Sequence, residues 1–221
     1  MELQIIMGNT QYIINESIFN TVLVVIALSI FAFIVNKKLS KADPNKAPSG
    51  LINIIEILVE SVNSLIKSTM GERNMNFGPY IFSLMVFLGV ANLLGLIGLT
   101  PPTSDYSVTF SLAIITFSIT QIVNLRTNGL GGYLKGFTEP MAFLTPLNVI
   151  GELGNLVSLS YRLFGNIVSG TIIMGLLYGF LGYFAPIFTP LLHGYFDVFS
   201  GLLQTFIFGM LTMVFIGQAT E

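Results

Sequence analysis

Arg162 stands inside a run from Leu156 to Gly182 that is otherwise apolar or small almost throughout, in the stretch Ser158-Leu159-Ser160-Tyr161-Arg162-Leu163-Phe164-Gly165-Asn166. A charged side chain at the centre of a membrane helix costs about 2.5–3.5 kcal/mol on insertion scales, and a guanidinium cannot discharge at physiological pH. Such a group faces a water-filled cavity or an anionic partner. Asn155, Ser158, Asn166 and Ser169 fall at steps of three or four around it, so the five residues share one helical face, with Gly151 and Gly165 thinning it. A second polar set, His193, Asp197, Gly201 and Gln204, has the same spacing in the next apolar stretch. If the two stretches form an antiparallel hairpin, these faces meet. The bland outcome is a buried Arg162–Asp197 ion pair that fixes helix packing. The sharper one is a hydrated ion path, which a polar lining several turns long suits better. Glu152 is either a path entrance or an interface residue, His193 a packing group or a relay. Asn92 either lines a path or bonds helix to helix.

Composition decides the environment of these residues. The chain has 221 residues, is 53% hydrophobic and only 9% charged, far below the roughly 25% charge of soluble domains, so it reads as an all-α integral membrane protein. Cysteine is absent, which removes disulfides and sulfur-ligated metals. With one histidine and neither His-Glu-x-x-His nor Gly-x-Ser-x-Gly, no resident metal and no hydrolase site are expected. A net charge of −2 gives no reason to expect a nucleic-acid partner.

About five membrane helices and one amphipathic surface helix are predicted. A spanning helix over 18–37 is followed by Lys37, Lys38, Lys41 and Lys46, which puts that end in the cytoplasm and the N-terminus outside. The N-terminus lacks a basic leader, so this first segment is expected to remain as an anchor. Asp43 to Gly50 has turn chemistry. Residues 51–70 carry Asn53, Glu56, Glu60, Asn63 and Lys67 as one stripe, favouring a helix on the cytoplasmic surface over a third of a bundle core. A spanning hairpin is predicted over 77–99 and 107–126, with the loop Thr100 to Asp105, which carries no Lys or Arg, outside and a glycine-punctuated connector, Gly129 to Gly136, inside. The segments 140–182 and 187–217 are too long to stand upright and are predicted to form a long slanted hairpin turning near Gly182 to Pro190. The C-terminus is then cytoplasmic, and the whole chain is one membrane domain.

Three stretches carry a resemblance: Asn92-Leu93-Leu94-Gly95 through Thr100-Pro101-Pro102-Thr103-Ser104-Asp105, the Arg-Leu-Phe-Gly-Asn core of Ser158 to Asn166, and Leu203-Gln204-Thr205-Phe206-Ile207-Phe208. In this order and spacing the chain resembles subunit a of bacterial F-type ATP synthases over residues 15–220. The resemblance implies a multi-pass protein of the bacterial inner membrane, non-catalytic by itself, whose partners are a rotor ring of c subunits, the b-subunit peripheral stalk and the rest of the F1Fo complex. It implies that Arg162 matches the family's essential arginine, separating two aqueous half-channels that carry H⁺ or Na⁺ to a rotor carboxylate. Asn166, Asp197 and Gln204 match the outer half-channel, and Ser158 and Glu152 the cytoplasmic path; His193 joins the ion-translocation set. No cofactor is implied, and a transient Na⁺ near Asp197 fits its oxygen-rich surroundings. Two departures stand out. Thr171 occupies the position nine residues after the arginine where some members place a carboxylate, leaving Asp197 to supply the acid from the facing helix. Asn155-Leu156 replaces the Lys-Pro of many relatives. The competing reading is a stand-alone secondary transporter whose arginine binds an anionic substrate.

Overall fold

The computed structural model describes residues 2–7, 10–40, 50–139 and 141–220. The expected loop at 43–49, Lys41, Lys46 and the first residue of the 140–182 segment lie outside these. Two short antiparallel strands, β1 (Glu2–Met7) and β2 (Thr10–Asn15), pair from Glu2↔Asn15 to Met7↔Thr10. This hairpin was not predicted, because the sequence reading weighed the amino end only as a flank to the first apolar helix. The described residues that follow form a helical membrane body.

Helix α1 (Glu16–Leu39) carries an acid in its first turn and Lys37 and Lys38 in its last, both favourable to the helix dipole. Its side chains are largely exposed and apolar, as lipid contact requires. Helix α2 (Gly50–Met70) buries Ile52, Val62, Ile66 and Met70 along one stripe and leaves Glu56, Glu60 and Lys67 outside. A 3₁₀ turn (Glu72–Phe77) leads into α3 (Gly78–Leu93), where Pro79 occupies a first-turn position that needs no amide donor. A further 3₁₀ turn, Leu94–Ile97, ends at Gly98, whose φ of 77° suits glycine. Helix α4 (Tyr106–Thr138) opens with the Asp105 carboxylate accepting from the Ser107 amide at 2.8 Å. The long arm α5 (Thr145–Leu181) has 37 residues, about 55 Å at 1.5 Å per residue, against a hydrocarbon core of roughly 30 Å. After a turn at Gly182 (φ 48°) come α6 (Ala185–His193), a π-helical segment (Gly194–Ser200) and α7 (Gly201–Ala219).

Helical stretches 16–39, 72–97, 106–138 and 142–219 are each long and apolar enough to cross a membrane, the last containing both arms of the hairpin. Two elements differ from the sequence expectation. The glycine connector after residue 126 is helical, and α4 breaks only at Gly129 (φ 65°, ψ 173°) before resuming to Thr138. The last arm is not one helix. Pro190 lacks an amide donor, and the widened π turn begins four residues later at Gly194 and carries Asp197.

The interior lies where α7 runs between the other helices. One apolar cluster joins Val62, Ile66 and Met70 of α2 to Ile81, Met213 and Ile216; another joins Leu84, Leu88 and Ala113 to Leu159, Leu163 and Phe208. Close approach depends on small residues. A Cβ on Gly201 would stand 3.1 Å from that of Asn92, and one on Gly209 would stand 2.9 Å from Cγ of Met85.

Candidate functional site

The burial pattern of α5 divides it lengthwise. Leu159, Leu163, Ile167, Gly170 and Met174 are buried against the rest of the molecule, and Asn155, Ser158, Arg162, Asn166 and Ser169 are exposed on the other side. Arg162 makes no hydrogen bond or ion pair among the described residues. The Arg162–Asp197 pair weighed from the sequence is therefore not what holds the hairpin together. The cation stands on an outward face of a membrane helix, with nothing among the described residues to neutralise it.

Toward the hairpin turn from Arg162 two side-chain hydrogen bonds join the arms among the described residues, and the second arm also meets the end of α3. One turn along α5, Asn166 Nδ2 donates to Oε1 of Gln204 at 2.6 Å. Gln204 is only 1% exposed, and its Nε2 has no protein partner, a buried donor that calls for water or a moving group. Further along, Asp197 Oδ2 contacts His193 Nδ1, four residues earlier, and the Tyr178 hydroxyl of α5 reaches His193 Nε2. The Asp197 carboxylate lies over Gly95, where a Cβ would stand 3.3 Å from its Cγ. The glycine at the end of α3 thus provides the space for the acid. Beneath this, Asn92 donates to the Gly201 carbonyl (3.1 Å) and Thr205 Oγ1 (3.2 Å) and accepts from Thr103 Oγ1 (2.7 Å). Its amide is committed to joining helices, which decides between the two readings of Asn92. Thr171 bonds its own helix at the Ile167 carbonyl, 3.0 Å.

Toward the other end of α5, Glu152 turns inward. Its Oε2 accepts from Gln121 Nε2 of α4 at 3.2 Å, and Gln121 Oε1 accepts from the Tyr133 hydroxyl at 2.9 Å. Two polar cavities, about 150 Å³ and 480 Å³, both border Glu152, Asn124 and Asn155. Ser158 is not with Glu152; it shares the exposed face of Arg162. No cluster of His, Asp and Glu able to hold a metal ion occurs among the described residues.

The arrangement is a lone cation flanked along one helix by two separate polar regions. Residues 18–217 match the family described as ATP synthase A chain. This chain belongs to that family. Relatives named ATP synthase subunit a include one from Citrifermentans bemidjiense, 33% identical over 211 residues, covering 93% of this chain and 88% of the relative. Another, from Moorella thermoacetica, is 34% identical over 206 residues, covering 93% and 90%. A third, from Mycoplasma pneumoniae, is 34% identical over 225 residues, covering 90% and 76%. For this member of the subunit a family, sequence reasoning missed Tyr178, Gln121 and Tyr133. Gln121 had a visible signal, a carboxamide inside the apolar run 108–125; the two tyrosines are found only once the chain is folded.

Proposed function

We propose that this chain is the ion-conducting, non-catalytic stator subunit of an ATP synthase, with Arg162 presented to the carboxylates of a c-subunit rotor ring. The observation that carries this reading is the exposed, unpaired guanidinium on a membrane helix. As a rotor carboxylate approaches, the fixed cation favours its charged form, so the carboxylate gives up its proton or sodium ion before passing. The same charge repels any ion that would run directly from one half-channel to the other. The region of Asn166, Gln204, Asp197 and His193 serves the outer half-channel, and Glu152 and the cavities beside it serve the cytoplasmic one. Ser158, on the Arg162 face, lines the rotor side of that second path. Lys37, Lys38, Arg126 and Lys135 mark the cytoplasmic side of a bacterial inner membrane, with the N-terminus outside and the C-terminus inside. The b-subunit stalk and the soluble catalytic head complete the complex.

Replacing Arg162 with Ala in the assembled complex should abolish ATP-driven ion pumping into inverted vesicles while the soluble head, once detached, keeps hydrolysing ATP. Coupled pumping at the parental rate in Arg162→Ala would contradict the proposal.

A further inference from the structure

Helix α1 is held to the rest of the molecule only along its amino-terminal half. Its buried residues are Ser17, Asn20 and Val24, and Asn20 Nδ2 donates to the Thr100 carbonyl at 2.9 Å. From Val25 to Leu39 no residue is buried, although α2 and α3 lie alongside. At 1.5 Å per residue that stretch rises about 22 Å, more than half of a hydrocarbon core of roughly 30 Å.

A cleft of about 800 Å³ opens between this half of α1 and the helices α2 and α3. Leu28 and Val35 of α1, Ile54 and Leu58 of α2, and Phe82 and Val86 of α3 line it. Its two serines offer no free donor, because Ser29 donates to the Val25 carbonyl and Ser83 to the Pro79 carbonyl, each at 2.7 Å. The polar side chain left is Asn36, at the end where α1 carries Lys37 and Lys38. Those two lysines also border an adjoining hollow of about 430 Å³ with Phe33 and Ile34. Neither ammonium has a hydrogen bond or ion pair among the described residues, and neither space is lined by Asp or Glu.

The plainest role for the lysines is to mark one side of the membrane. Their number and their setting ask for more. Lys37, Lys38, Lys41 and Lys46 follow the span within ten positions, and a basic cluster of that size beside a membrane helix attracts anionic lipid. The cleft adds an apolar space that reaches the same level. A partner helix matches it less well. Membrane helices join through small residues and shared polar groups, whereas these walls are mostly bulky, the serines are spent, and the charged end asks for an anion.

We propose that the cleft between α1, α2 and α3 binds an anionic glycerophospholipid from the leaflet on the lysine side. Its phosphate rests on Lys37 and Lys38, Asn36 donates to the same headgroup, and its acyl chains lie between Leu28, Leu58 and Phe82. The lipid fastens the second half of α1 to the body where protein contacts do not. This site does not depend on the role of Arg162.

The test uses the whole complex in phosphatidylcholine vesicles that carry a trace of phospholipid with a photoactivatable diazirine on its acyl chain. After illumination, adducts on this chain are mapped by mass spectrometry. Phosphatidylglycerol probe should label Leu58 and Phe82 about 10–30-fold more than phosphatidylcholine probe, the weight of two lysines near a membrane surface. Ile30, exposed on α1 and outside the cleft, should show no such preference. Lys37→Gln combined with Lys38→Gln should remove the preference, and Lys37→Arg with Lys38→Arg should keep it. Where the neutral variant assembles poorly, the parental complex in about 1 M salt answers the same question, because ionic reach falls there to about 3 Å. A preference that survives both the glutamines and the salt overturns the lysine site. Equal labelling by the two probes reduces the cleft to bulk lipid, and an unlabelled cleft beside a labelled Ile30 means that a partner helix fills it; either result overturns the proposal. So does displacement of the probe by inorganic phosphate, which has the charge without the chains. Arg162→Ala should leave the labelling unchanged, so this site and the stator reading fail separately.

Discussion

Arg162 and Asp197 sit on facing arms, yet each is served by a different neighbourhood. The arginine has no partner among the described residues, whereas Asp197 has His193 on one side and the bare backbone of Gly95 on another. That contact makes Gly95 a sensitive position. A methyl there crowds the carboxylate from 3.3 Å, so Gly95→Ala should move Asp197 and slow ATP-driven pumping severalfold while assembly persists. Pumping at the parental rate would show that the acid's position there is unimportant. Asn92 is sensitive in another way. Asn92→Ala strands the buried Thr103 hydroxyl, while Thr205 keeps its bond to the Gly201 carbonyl, and should lower stability by about 1–3 kcal/mol, read as an earlier thermal transition of the solubilised complex.

At the scale of elements, the polar periodicities were legible and the irregularities were not. The i, i+3, i+4 spacing around Arg162 correctly described one exposed face of α5, because a long uninterrupted helix obeys its period. The same reasoning ran His193, Asp197 and Gln204 together as one face of a single helix. The π turn intervenes, and Asp197 ends against Gly95 while Gln204 ends against Asn166. The glycines at 129–136 read as a connector because glycine lowers helix propensity; packing against α5 and a single positive φ make them a folded-back helix instead. Tyr178 and Tyr133 act across gaps of 15 and 12 residues, which periodicity cannot register. The π segment gives an element-scale test. Deleting Val198 should restore α-helical winding and turn Asp197 by about 100° relative to α7. ATP-driven pumping should then be lost while α7 still packs; retained pumping would show that the widened turn has no part in placing the acid.

Across the whole molecule, the buried interior is assembled around α7; the exposed face of α1 is largely apolar, whereas that of α5 carries Asn155, Ser158, Arg162, Asn166 and Ser169. Lipid suits α1, which carries no charge between Glu16 and Lys37. On α5 lipid would have to accommodate a bare guanidinium, which is why a partner bearing carboxylates is assigned to that face. Disulfide cross-linking tests this most directly. Single cysteines at Ser158 and Ser169, which bracket Arg162 on the exposed face, should each cross-link to cysteines flanking the rotor carboxylate under mild oxidation of the intact complex. A cysteine at Phe33, on the exposed face of α1, should not. Cross-links from Phe33→Cys, with none from Ser158→Cys or Ser169→Cys, would contradict the account.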